Sequence, residues 1–174
     1  MSKQYSSQIA NELIEYMKAN HLDYYFNQDE GSIEFDIPIP VKISRVHFFI
    51  RIHKWGYTSF GDFGLAVQEP VRDDMIEYLT FVNYNAAIGY FEFDIAKGKL
   101  SYKVTVDCDG CTLSQKIIGN SLSATLMMYQ EWGDHLLYIL VGVETAAKAI
   151  AQIQAEGFHI EEGLKCTHTR LQII

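Results

Sequence analysis

The chain switches between two hydrophobic periods, and the switches mark its elements. Residues 5–20 place Ile9, Leu13 and Met17, with Ile14 on the flank, at helical spacing. Asn11, Glu12, Glu15 and Lys18 point outward, which predicts an amphipathic first helix. The aromatic run 22–27 suits a strand, and Asp29-Glu30-Gly31 reads as a turn into the next extended run. In residues 32–39, Ile33, Phe35, Ile37 and Ile39 alternate with Glu34 and Asp36. Pro38 and Pro40 cannot donate to a ladder and mark the end of that strand. The clearest alternation is 43–54, with Val46, Phe48, Ile50 and Ile52 on one side and Arg45, His47, Phe49, Arg51 and His53 on the other. Period two with a polar second face predicts an antiparallel sheet packed on one side. Residues 57–67 add a further strand, in which Gly61 and Gly64 predict a bulge or bend.

Pro70, with Asp73 and Asp74 behind it, opens a second helix carrying Val71, Met75 or Ile76, Leu79 and Val82 towards a stop near Gly89. Residues 90–95 and 99–107 read as a hairpin around Ala96-Lys97-Gly98, with Leu100, Tyr102, Val104 and Val106 on its core face. Thr112 and Gln115 form a capping box for a long helical region that carries Ile118, Leu122, Leu126 and Tyr129 to about residue 143. Gly119, Gly133 and Gly142 are its weak points. An Ala-rich helix over 144–157, closed by Gly157, comes last, followed by the tail 158–174. Hairpins without βαβ crossovers predict an α+β fold: a mainly antiparallel sheet of about five to six strands with helices packed on one face. No repeat or composition shift divides the chain, so 1–174 reads as a single domain.

Composition narrows the function. The 174 residues are 48% hydrophobic, ample for one core that buries roughly 70% of the unfolded surface. Fourteen Lys and Arg against 22 Asp and Glu give a net charge of −8, which argues against nucleic acid and against anionic lipid. Residues 1–7 lack the basic stretch and apolar run of a signal peptide. The longest apolar run, 136–143, falls far short of the roughly 20 residues that span a bilayer. Three cysteines are an odd, low count, so the expected setting is a reducing cytoplasm without a disulfide framework.

The middle of the chain carries a likeness. It runs Tyr78 to Asn83, then Asn85, Gly89, Phe91, Phe93 and Asp94, and closes with Lys97-Gly98, Leu100 and Tyr102. This pattern resembles the YbjN family: a helix ending in Asn, a Gly, a Phe-x-Phe-Asp strand, a small turn, and a strand with an aromatic before a basic residue. The likeness covers about 5–143 by element order and about 78–106 by motif; the last helix and the tail stand outside it. It implies a type III secretion chaperone-like fold and a non-enzymatic role, chaperone-like or regulatory, often through a homodimer. It carries over no catalytic residues. Read as residues, Asn83, Asn85, Gly89, Phe91, Phe93 and Asp94 serve structure: capping, a turn and a buried strand face.

Candidate chemistry is sparse. Cys108-Asp109-Gly110-Cys111 is a CxxC that could join Cys166 and His168 in a tetrahedral zinc site, but the second half has no usual finger spacing. Asp109-Gly110 is good turn chemistry, so a turn is expected, with no metal and no cofactor. The six histidines form no HExxH, no Ser sits in GxSxG, and Asp62-Phe63-Gly64 lacks the other kinase motifs. What stands out is a basic stripe in an acidic protein: Arg45, His47, Phe49, Arg51 and His53, ending at Lys54 and Trp55. It suits an acidic peptide or carboxylate ligand, with Trp55 and Tyr57 as interface anchors or as a cap on the core, against the plainer reading of a solvated strand face. The expected function is therefore a protein-binding module. The alternative is a small-molecule sensor or hydrolase with a pocket between sheet and helices.

Overall fold

In the computed structural model, which describes residues 4–156, the order of elements is the predicted one: a helix, four strands, a helix, two strands and two helices. Helix α1 (Ser7–Ala19) starts where the Ser6 hydroxyl accepts from the Ile9 N–H at 3.3 Å. It buries Ile9, Ala10, Leu13 and Met17, the face that the 3.6-residue period marks. Strands β1 (Tyr24–Asn27), β2 (Ser32–Pro38), β3 (Arg45–Ile52) and β4 (Gly56–Asp62) follow as consecutive hairpins. Helix α2 (Arg72–Asn85) then leads to β5 (Tyr90–Asp94) and β6 (Lys99–Asp107). All six strands form one sheet in the order β1-β2-β3-β4-β6-β5, with every neighbouring pair antiparallel. The chain is α+β.

Helix α3 (Gln115–Leu140) has 26 residues, so it is roughly 39 Å long at 1.5 Å per residue. It packs against β4, β6, α1 and α2. The core lies between this helical layer and the alternate residues Ile33, Phe35, Val46, Phe48, Ile50, Leu100, Tyr102 and Val104. Three phenols within it are tethered. Tyr57 Oη pairs with Ser121 Oγ at 2.7 Å, Tyr78 donates to the Trp132 carbonyl at 2.9 Å, and Tyr129 donates to the Gly61 carbonyl at 2.8 Å. Burial pushes all three hydroxyls up from the ordinary phenol value, which keeps them protonated. Helix α4 (Ala146–Ala155) lies on α2, where Asp74 Oδ1 accepts from the Ala146 N–H at 2.8 Å. His135 on α3 and Glu144 before α4 meet at 2.7 Å and fasten the same corner.

Several local expectations need correction. The cap of α3 is Ser114, whose Oγ accepts from the Ile117 N–H, not a box on Thr112; a hydroxyl two residues further along is better placed for the free amides. The helix passes unbroken through Gly119 and Gly133 and ends at Leu140, because packing outweighs glycine's weak propensity. Helix α2 stops at Asn85, not Gly89, and Pro70 lies in a single 3₁₀ turn (Glu69–Val71) ahead of it. Gly61 makes no bulge. It sits in register between Phe48 and Tyr102, and a Cβ there would lie 2.4 Å from the Thr125 methyl, so it lets α3 approach the sheet. Gly157, expected to close α4, is outside the described residues. No helix among the described residues is long and apolar enough to cross a membrane.

Candidate functional site

Strand alternation sends every second side chain to the face of the sheet opposite the helices. One register row on that face crosses all six strands: Tyr25, Glu34, Phe49, Phe60, Lys103 and Tyr90. At about 4.8 Å between neighbouring strands the row is roughly 24 Å long. Tyr25 is 64% exposed and Tyr90 is 46% exposed at the two edges, while Phe49 and Phe60 are half-buried between them. The Phe49 and Phe60 rings meet at 6.2 Å. Arg51 lies 5.6 Å over Phe49, and Lys103 lies 5.6 Å over Phe60 and 5.7 Å over Tyr90. Cations over ring faces hold the aromatic groups in place without covering them with apolar protein.

The basic stripe of β3 belongs to this face, but its two ends differ. At one end β2 supplies acids: Arg45 meets Asp36 at 3.7 Å, and His47 meets Asp36 at 3.1 Å and Glu34 at 3.8 Å. These exposed pairs largely cancel, so Arg45 and His47 add little net field. At the other end no carboxylate among the described residues forms an ion pair with Arg51 or Lys54. His53 stacks on Trp55 with ring centres 4.9 Å apart, and its Nε2 meets Thr58 Oγ1 at 3.1 Å. Burial first, and the Arg51 charge second, hold His53 below its ordinary value. Trp55 remains 43% exposed at the tip of the β3–β4 hairpin. The predicted stripe therefore resolves into an occupied end at Arg45 and His47 and an available end at Phe49, Arg51, His53 and Trp55.

No protein-family model, no curated protein and no solved structure matches the chain. The residues of the central motif can still be placed. Asn83 reaches from the last turn of α2 to the outer edge of β5, where its Nδ2 donates to the Phe91 carbonyl at 3.0 Å and its Oδ1 accepts from the Phe91 N–H at 2.7 Å. Asn85 donates to the Phe81 carbonyl at 2.7 Å and finishes the helix. Gly89 has φ +81°, and a Cβ there would lie 2.6 Å from the Lys103 carbonyl. Phe91 is buried against Tyr102 and Tyr129, Phe93 is half-buried, and Asp94 accepts from the Lys97 N–H to close the β5–β6 turn. That hydrogen bond holds Asp94 below the ordinary carboxylate value. These residues build the fold and place Tyr90, which was not singled out in sequence, on the open face.

Of the zinc alternative, Cys108 and Cys111 are placed at the end of β6, while Cys166 and His168 lie outside the described residues. Among the described residues no group of three or more His, Cys, Asp or Glu could hold a metal ion. Tyr25, Phe60, Tyr90 and Lys103 also escape sequence reasoning, because only the register shows that they join Phe49 in one row. The signal that could find them is the second face of each alternating strand, read together across strands rather than one at a time.

Proposed function

We propose that the uncovered face of the sheet binds a segment of another protein that carries apolar anchors and carboxylates. The observation that carries this reading is the cross-strand row of Tyr25, Phe49, Phe60 and Tyr90, with Arg51 over Phe49 at its middle and Trp55 exposed at the nearby β3–β4 hairpin tip. Aromatic rings stiffened by neighbouring cations present area at low entropic cost, which is what interface anchors need. Arg51 and Lys54 favour an acidic partner and disfavour a basic one. The likeness of residues 78–106 to the YbjN family points the same way, to a chaperone-like or regulatory role without catalysis.

The test compares capture of partners by the wild-type chain, Arg51→Glu and Phe60→Ala, followed by titration of acidic segments of any captured protein. One captured protein should depend on both residues, and its acidic segment should bind with affinity at least about tenfold weaker to each variant. If every captured protein binds the variants as well as the wild type, the open face is not the binding surface.

A further inference from the structure

We infer that Cys108 and Cys111 form a reversible dithiol–disulfide site at the end of β6, entered through Cys111. The Cys111 N–H donates to the Cys108 carbonyl at 3.2 Å, closing a four-residue turn. Gly110 takes φ +76° at its third position while Asp109 keeps negative φ, the pattern of a type II turn. The ends of such a turn lie within about 7 Å at Cα, the range a disulfide spans. Both ends of the turn are anchored. The Cys108 N–H donates to the Trp55 carbonyl at 2.8 Å, Asp107 Oδ1 accepts from the Asp109 N–H at 2.8 Å, and buried Leu113 leads into α3. Both cysteines are free thiols, but their settings differ: Cys111 is exposed and Cys108 is buried.

That difference orders the chemistry. A soluble disulfide such as glutathione disulfide reaches Cys111, whose thiolate attacks one sulfur and expels one glutathione thiolate. The mixed disulfide on Cys111 is then attacked by the Cys108 thiolate, which expels the second glutathione. The protein loses two thiol protons and is oxidised to the Cys108–Cys111 disulfide; the glutathione disulfide is reduced to two thiols, which take up those protons. Burial, with smaller contributions from Cys111 and Asp107, pushes the Cys108 thiol up, so the second step quickens as pH rises. The site touches the binding face through the Trp55 carbonyl, which accepts from the Cys108 N–H at 2.8 Å.

Full-length protein carrying Cys166→Ser, treated with glutathione disulfide and then alkylated after unfolding, decides the matter. The expected product is two hydrogens lighter, carries no glutathione and has lost both alkylatable thiols together; dithiothreitol restores them. Cys108→Ala in the same background should stop at a stable glutathione adduct on Cys111. A persistent adduct on Cys111 with Cys108 still alkylatable, or a disulfide-linked dimer, in the Cys166→Ser protein would overturn the inference. That protein keeps the pair intact, so the result stands even if Cys108→Ala does not fold.

Discussion

Asn83 makes the sharpest test of how this fold is held together. Its side chain satisfies both backbone groups of Phe91 on the side of β5 that faces away from β6. Substitution by Ala removes both hydrogen bonds and leaves a partly buried amide and carbonyl without those partners. Each bond is worth about 1 kcal/mol net, and an unsatisfied group costs more, so Asn83→Ala should destabilise the chain by about 2–3 kcal/mol. At roughly 2–4 °C per kcal/mol for a chain of this size, the midpoint of thermal unfolding should fall by roughly 5–10 °C. Asn85 is the internal control: its side-chain hydrogen bond among the described residues goes to the Phe81 carbonyl of its own helix, so Asn85→Ala should cost no more than about 1 kcal/mol. Urea unfolding of the two variants, with unchanged dependence on denaturant, measures both. A cost for Asn83→Ala below about 0.5 kcal/mol, or equal to that of Asn85→Ala, would refute the idea that Asn83 clamps the sheet edge.

Other substitutions read out separate features. Gly89→Ala forces a side chain into left-handed backbone and against the Lys103 carbonyl, and should cost about 2–4 kcal/mol by the same unfolding assay. Thr125 is fully buried and its Oγ1 has no hydrogen-bond partner among the described residues, so Thr125→Val should be neutral or stabilising by up to about 1 kcal/mol. His53, held below its ordinary value, should protonate below about pH 6.5 as followed by Trp55 fluorescence, and Arg51→Gln should raise that midpoint without restoring it, because burial is the larger cause. The neutral form is the one the fold favours, so His53's contribution is present above the unfolded value and lost as pH falls towards the folded one.

The order of elements was legible because each carries its own period: Val46 to Ile52 alternate over a full strand, and Ile9, Leu13 and Met17 recur over a full helix. Contacts distant in the chain decided most of what was not. Thr112 and Ser114 both suit a helix start, and only the path of the chain after buried Leu113 selects Ser114. Gly61 has the composition of a bulge, but its role is set by Thr125, 64 residues away. The binding face was half legible. The stripe on β3 could be read from one strand, whereas its partial neutralisation by Glu34 and Asp36 and its extension through Phe60 to Tyr90 depend on pairings between strands. Register across a sheet is non-local information that single-strand periodicity does not carry.

The central claim is that the open sheet face is the occupied surface, and site-specific photo-crosslinking tests it most directly. A photoreactive phenylalanine analogue placed at Phe60 or Tyr90 samples that face, and one at Tyr84, which is 80% exposed on α2, samples the helical side. The proposal predicts a discrete adduct with another protein from both sheet positions, reduced by Arg51→Glu, and none from Tyr84. An adduct from Tyr84 with none from Phe60 or Tyr90 would contradict it.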